Sequence, residues 1–228
     1  MDFEIILDPS GFPLINHPEL NFAIHWFPVT KIQIEYFLTV VNDSKYDQAW
    51  YEHLLFNYGK RVSPDGARAN NYWELFLTGI LPAEAQRFSQ YCGRGYDLPT
   101  AAEWYKAYSV LSRVNASQEY LERVLETPNL RERTRRLIKN AEGIAKSESS
   151  QLEGQRNLAD QMLMRLGIME YVYGDDQRNT FAGFGQPSRG LAGMLTSPRD
   201  GIPQILTNRT EGLRLKQYGF RLIKRKGS

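Results

Sequence analysis

The strongest constraint on this chain is a change of texture near residue 112. Up to that point, and again from about residue 167, short apolar runs are broken by Gly, Pro and Asn and carry most of the aromatic side chains. Between them, 112–164 holds one proline, Pro128, and one aromatic residue, Tyr120, and is dominated by Glu, Arg, Lys, Leu and Gln. Such a block can bury a face only as helix, because its apolar residues recur every three or four positions. "ASQEYLERVLE" forms one helix. Thr127 and Pro128 suit the cap and first turn of a second, in which Leu130, Thr134, Leu137, Ile138, Ala141 and Ile144 share a face. "KSESSQLEG" breaks it, and "QRNLADQMLMRL" supplies a third. The flanks are strand-like: "FEIIL" and "NFAIHWF" early, "GIMEYVYGDD", "FAGFGQPSRGLAGML" and "YGFRLIKRK" late, with "DPSGFPLINHPEL" as a breaker-rich stretch. The expectation is an irregular α+β fold over 1–228 with an inserted all-helical segment at 112–164.

Helix starts in the first half are explicit. Thr30 and Gln33 make a T-x-x-Q capping box ahead of the face Ile34, Phe37, Leu38, Val41, and Asn42-Asp43-Ser44 is a stop. Residues 43–79 read as irregular, with aromatics between Gly, Pro and Asn. Pro82 opens a helix to about Cys92, ended by Gly93, with Ala85, Phe88, Ser89 and Cys92 on one face. In "LPTAAEW" (98–104), Thr100 and Glu103 make a second capping box, and Trp104, Tyr108 and Leu111 follow at i, i+4, i+7.

The charge balance of +2 gives no global footprint for nucleic acid or an anionic membrane. A single cysteine, Cys92, excludes an intrachain disulfide and a multi-thiolate metal site. No apolar run approaches the ~20 residues of a membrane span, and the acidic, Pro- and Gly-broken "MDFEIILDPSGFP" is unlike a signal peptide. The expectation is a cytoplasmic protein with no membrane partner.

Four stretches, taken in order and spacing, resemble the formylglycine-generating enzyme family, also called the sulfatase-modifying-factor domain, whose topology is similar to that of C-type lectins. They are "FAIHWFPVTKIQIEYFL" (22–38), "TGILPAEAQRFSQYC" (78–92), "YDLPTAAEWYKAY" (96–108) and the terminal "YGFRLIK" (218–224). "LGIMEYV" (166–172) is a fainter match to the family's Gly-Asn-Val-Trp-Glu-Trp segment. The resemblance covers about 22–108 and 162–224 and leaves out the helical block.

The residues that carry the family's chemistry are not matched. Its aerobic oxidase holds copper between two cysteines near the C-terminus, as soft Cu(I) prefers, and this chain has no cysteine after Cys92. Cys92 lies on an apolar helix face, where a small buried hydrophobe is the ordinary role. Related sulfoxide synthases bind iron through histidines of a helical domain. Here His17, His25 and His53 lie outside the helical block and none is spaced H-x-x-x-H. Calcium in the family uses the segment matched at 166–172; Glu170 keeps its glutamate, but Gly167 replaces the asparagine. Calcium needs six to eight oxygens, so Glu170 is either a weakened calcium ligand or bonded to backbone groups in the core. "SRGLAGMLTSP" (188–198) keeps only Arg189 and Gly190 of the family's Arg-Gly-Gly-Ser-Trp stretch. No Ser/His/Asp set, P-loop or G-x-G-x-x-G offers another chemistry, and no residue is assigned a catalytic role.

What the resemblance then implies is a non-catalytic binding or adaptor protein, a component of a multi-protein assembly, with its function in rebuilt loops. The candidate binding surface is Tyr173, Arg178, Phe184, Arg189, Met194, Arg199, Asn208 and Arg209, which otherwise fill the core or carry solvated charge. In "NLRERTRRLIKN", Arg131, Arg133, Arg135, Arg136 and Lys139 face one acid, Glu132. On a helix most of these point outward, either as a solvated face or as a docking face for an acidic protein or a nucleic-acid backbone. Two alternatives stand beside the adaptor. One is a divergent metal-dependent oxidoreductase, with ligands its own or a partner's. The other is a ligand-binding variable protein of a diversity-generating retroelement, for which the two asparagines of 176–220, Asn179 and Asn208, give thin support.

Overall fold

The computed structural model describes residues 3–58, 75–114, 118–149, 157–159, 168–174, 181–185, 204–205, 214–216 and 218–227. It is an α+β fold of two mainly antiparallel sheets. The first sheet runs in the order β1 (Glu4–Leu7), β2 (Pro13–Asn16), β3 (Phe22–His25), β9 (Ile223–Arg225), β4 (Tyr96–Asp97), every pair antiparallel. The second runs β7 (Gln204–Ile205), β6 (Phe181–Gly185), β5 (Met169–Tyr173), β8 (Tyr218–Phe220), with β8 parallel to β5 and the rest antiparallel.

The breaker-rich stretch after β1 contains a strand that sequence pattern did not separate. β1 and β2 form a hairpin with Leu7 opposite Pro13. Pro13 is the first residue of its strand, a place where the missing N–H is tolerated. The turn is built on Asp8, whose Oδ1 accepts from Ser10 Oγ and Phe12 N, both at 2.8 Å. Gly11 sits there at φ +82°, a region that costs a side chain its usual conformation. Gly219, in β8, is required for a different reason. A Cβ on it would lie 2.7 Å from the Leu77 carbonyl oxygen, because the 77–79 segment runs tight against that strand.

Helices α1 (Lys31–Val40) and α4 (Ala101–Leu111) begin as their capping boxes require. Thr30 Oγ1 accepts from Gln33 N and Gln33 Oε1 accepts from Thr30 N; Thr100 and Glu103 do the same at 3.1 and 2.8 Å. Helix α3 (Pro82–Cys92) opens on its proline, with Glu84 reaching back to Leu81 N. Helix α2 (Gln48–Tyr58) overturns the irregular reading of its part of 43–79. Asp47 caps it, accepting from Trp50 N at 2.8 Å, and it buries Tyr51 and Leu54 three residues apart. Its aromatic side chains favour strands in isolation, and packing overrides that preference.

The helical block supplies α5 (Gln118–Leu125) and α6 (Glu132–Ser149). The second begins later than Thr127-Pro128. Asn129 takes φ 65°, which breaks any helix running through it, and Thr127 Oγ1 instead donates to Arg123 O at the end of α5. Of the expected face, Leu130, Thr134, Leu137, Ile138 and Ala141 are buried, and the side chain of Ile144 lies outside the described residues. Of the expected third helix only 157–159 lie within the described residues.

The block is part of the core. Leu121, Val124, Leu137 and Ile138 join Trp26, Trp104 and Val172 in one buried cluster. A second cluster gathers Phe37, Tyr51, Phe88, Tyr171 and Phe220, from α1, α2 and α3 and from the second sheet. Each large apolar side chain contributes about 1.5–3 kcal/mol by leaving water. Within the described residues, no helix is long and apolar enough to cross a membrane.

Candidate interaction site and its closed polar centres

The chain passes from the second sheet to the first through Arg221 and Leu222, between β8 and β9. Arg221 is fully buried and Glu170 of β5 is 1% exposed. Arg221 Nε donates to Glu170 Oε2 at 2.9 Å and a terminal nitrogen to Oε1 at 2.7 Å, a two-pronged fit of guanidinium to carboxylate. The other terminal nitrogen donates to the carbonyls of His25 and Trp26 at 2.7 and 3.0 Å. Trp104 Nε1 adds a third donor to Glu170 Oε2 at 3.0 Å. Four separate stretches of the sequence, around 25, 104, 170 and 221, therefore meet at one buried contact.

Of the two readings of Glu170, its place in the core holds, but its partners differ from the expected backbone groups. Its oxygens accept from side-chain donors, the Arg221 guanidinium and the Trp104 indole, not from backbone groups. Among the described residues no cluster of three or more His, Cys, Asp or Glu is placed to hold a metal.

A second polar centre corrects Tyr173. Expected on a binding surface, it is 3% exposed. Its backbone N donates to Pro99 O at 2.9 Å, so the end of β5 is paired to the residues leading into α4. Its hydroxyl donates to Asp97 Oδ1 at 2.9 Å and accepts from Gln86 Nε2 at 3.0 Å. Arg225 completes the centre, donating to Asp97 Oδ2 and to both oxygens of Glu103 at 2.9–3.0 Å.

A third lies under the β1–β2 turn. Asp8 Oδ2 accepts from Gln33 Nε2 at 3.1 Å and lies 3.0 Å from His25 Nε2, at ion-pair distance without hydrogen-bond alignment. Burial alone would raise the Asp8 carboxyl. The His25 ring, the Phe12 amide and the Ser10 hydroxyl outweigh it and hold the carboxyl below its ordinary range. His25 is thus a packed core histidine; His17 is buried at the start of the β2–β3 loop, its Nδ1 accepting from Glu19 N at 3.2 Å, and His53 is exposed on α2. Cys92 is buried, and burial together with the Asp8 charge pushes its thiol well up, away from the reactive thiolate.

The basic helix is more neutralised than its sequence suggests. Arg133 pairs with Glu35 of α1 at 3.2 Å. Arg135 and Arg136 both pair with Glu132, at 2.9 and 3.1 Å, and Arg135 also donates to Leu125 O. The Arg131 guanidinium lies 4.5 Å from the centre of the Tyr36 ring and against Gly11. Arg131, Arg136 and Lys139 are exposed, whereas Arg133 and Arg135 are half-buried. The local text shows Glu132; it cannot show Glu35, 98 residues away from Arg133.

Arg178, Arg189, Met194, Arg199, Asn208 and Arg209 lie outside the described residues. Phe184 belongs to β6, opposite Glu170, and only its backbone is described. Residues that carry the polar centres but drew no notice in the sequence are Asp8, Asp97, Arg221 and Arg225. Their only local signals are the turn residues after Asp8 and the family-like Gly-Phe-Arg-Leu around Arg221. No protein-family model, curated protein or solved structure matches this chain.

Proposed function

We propose that this chain is a non-catalytic binding or adaptor protein on a formylglycine-generating-enzyme-like, C-type-lectin-like scaffold, working within a multi-protein assembly. The observation that carries the reading is the state of Glu170. The resembled segment would spend this carboxylate on calcium, and here both of its oxygens are spent on Arg221 and Trp104. Other ionisable groups follow the same pattern, engaged with one another: Asp8 with His25 in the interior, and Asp97 with Tyr173 and Glu103 with Arg225 at part-buried positions. Such groups specify a structure and are poorly placed to exchange protons with a substrate.

A protein partner suits the exposed side of α6 better than a nucleic-acid backbone does. Five phosphate contacts would give a log–log salt slope of about −4.5, at −0.9 per contact. Glu35 and Glu132 offset two of the five positive charges, so about three contacts and a slope of about −2.7 are what the segment would supply.

The test uses the purified full chain. Metal analysis after incubation with copper, iron or calcium is expected to give no stoichiometric metal, and an oxygen electrode no uptake with a thiol peptide. Stoichiometric copper or iron together with oxygen consumption overturns the reading in favour of a divergent oxidoreductase. Titration with duplex DNA and RNA at two salt concentrations is expected to show weak binding with a shallow slope. A slope near −4.5 would replace the protein partner with nucleic acid.

A further inference from the structure

We draw no further inference here: the strongest candidate, Phe56 on the outward face of α2, which is 89% exposed, is a single apolar side chain among Glu52, His53 and Asn57, and nothing in the structure shows what covers it.

Discussion

Replacing Glu170 by glutamine removes one charge and almost no volume. The amide oxygen can still accept from Trp104 or from one nitrogen of Arg221, so packing is preserved. What is lost is the countercharge of a guanidinium with no exposed surface. Breaking one partner of a buried pair costs about 3–5 kcal/mol, because the other charge is left uncompensated. With a urea slope of about 2 kcal/mol/M, the unfolding midpoint of E170Q is expected to fall by about 1.5–2.5 M. Glu170→Leu combined with Arg221→Met removes both charges and is expected to recover part of that loss. The recovery stays incomplete, because the carbonyls of His25 and Trp26 then lose their donor, at about 1–3 kcal/mol per unsatisfied buried group. A double-mutant cycle over the two positions isolates the coupling. The reasoning is refuted if E170Q costs less than about 1 kcal/mol, the worth of a solvated surface pair, or if the two single variants simply add.

Three further outcomes follow from the same contacts. Asp8 has a folded pKa below its ordinary value, so its stabilisation is complete above about pH 4 and is lost as pH falls through the folded value. The melting-temperature gap between the native chain and Asp8→Asn should narrow steadily from pH 5 to pH 2; a constant gap would show that the charge is irrelevant. Thr100→Ala removes the cap of α4 and should cost about 0.5–2 kcal/mol in urea unfolding, whereas Thr100→Ser should be close to neutral. Cys92 should be silent to a thiol-reactive dye at pH 8 in the folded chain and react fully in denaturant; rapid labelling of the folded chain would contradict its burial.

Local chemistry was legible wherever it is confined to a few residues. The Thr30 and Thr100 boxes, the proline start at Pro82 and the buried stripe of α6 all involve partners within one or two turns. Strand β2 and helix α2 escaped because their text argues against them. One opens on proline among turn residues, and the other is rich in Trp, Tyr and Phe between Asn and Asp. Both exist because neighbours supply what propensity withholds. The polar centres were beyond local reading for another reason. Gln33 bonds to Asp8 across 25 positions, Arg221 to Glu170 across 51 and Arg225 to Glu103 across 122. A pattern can mark an arginine as basic, but only the fold says which acid it meets. Hence Tyr173, read as binding surface or core, is interior, and two of the five positive charges on the basic segment are offset by acids within the chain.

The two residues between β8 and β9 also set an order of events during synthesis. β9 lies inside the first sheet, between β3 and β4, and β8 closes the described edge of the second. A chain that has emerged only as far as residue 217 therefore lacks the strand that joins β3 to β4 and leaves Glu170 without its Arg221 partner. At about 5–20 residues per second, the earlier strands spend many seconds without the segment that joins them. Over that interval the helices can form by local contacts, but the two sheets cannot lock. Arrival of Tyr218–Arg225 supplies both missing strands and the guanidinium in a single step. Folding of this protein should accordingly be late and abrupt on the ribosome, with the unjoined β3 edge as the surface most exposed to wrong pairing in the meantime.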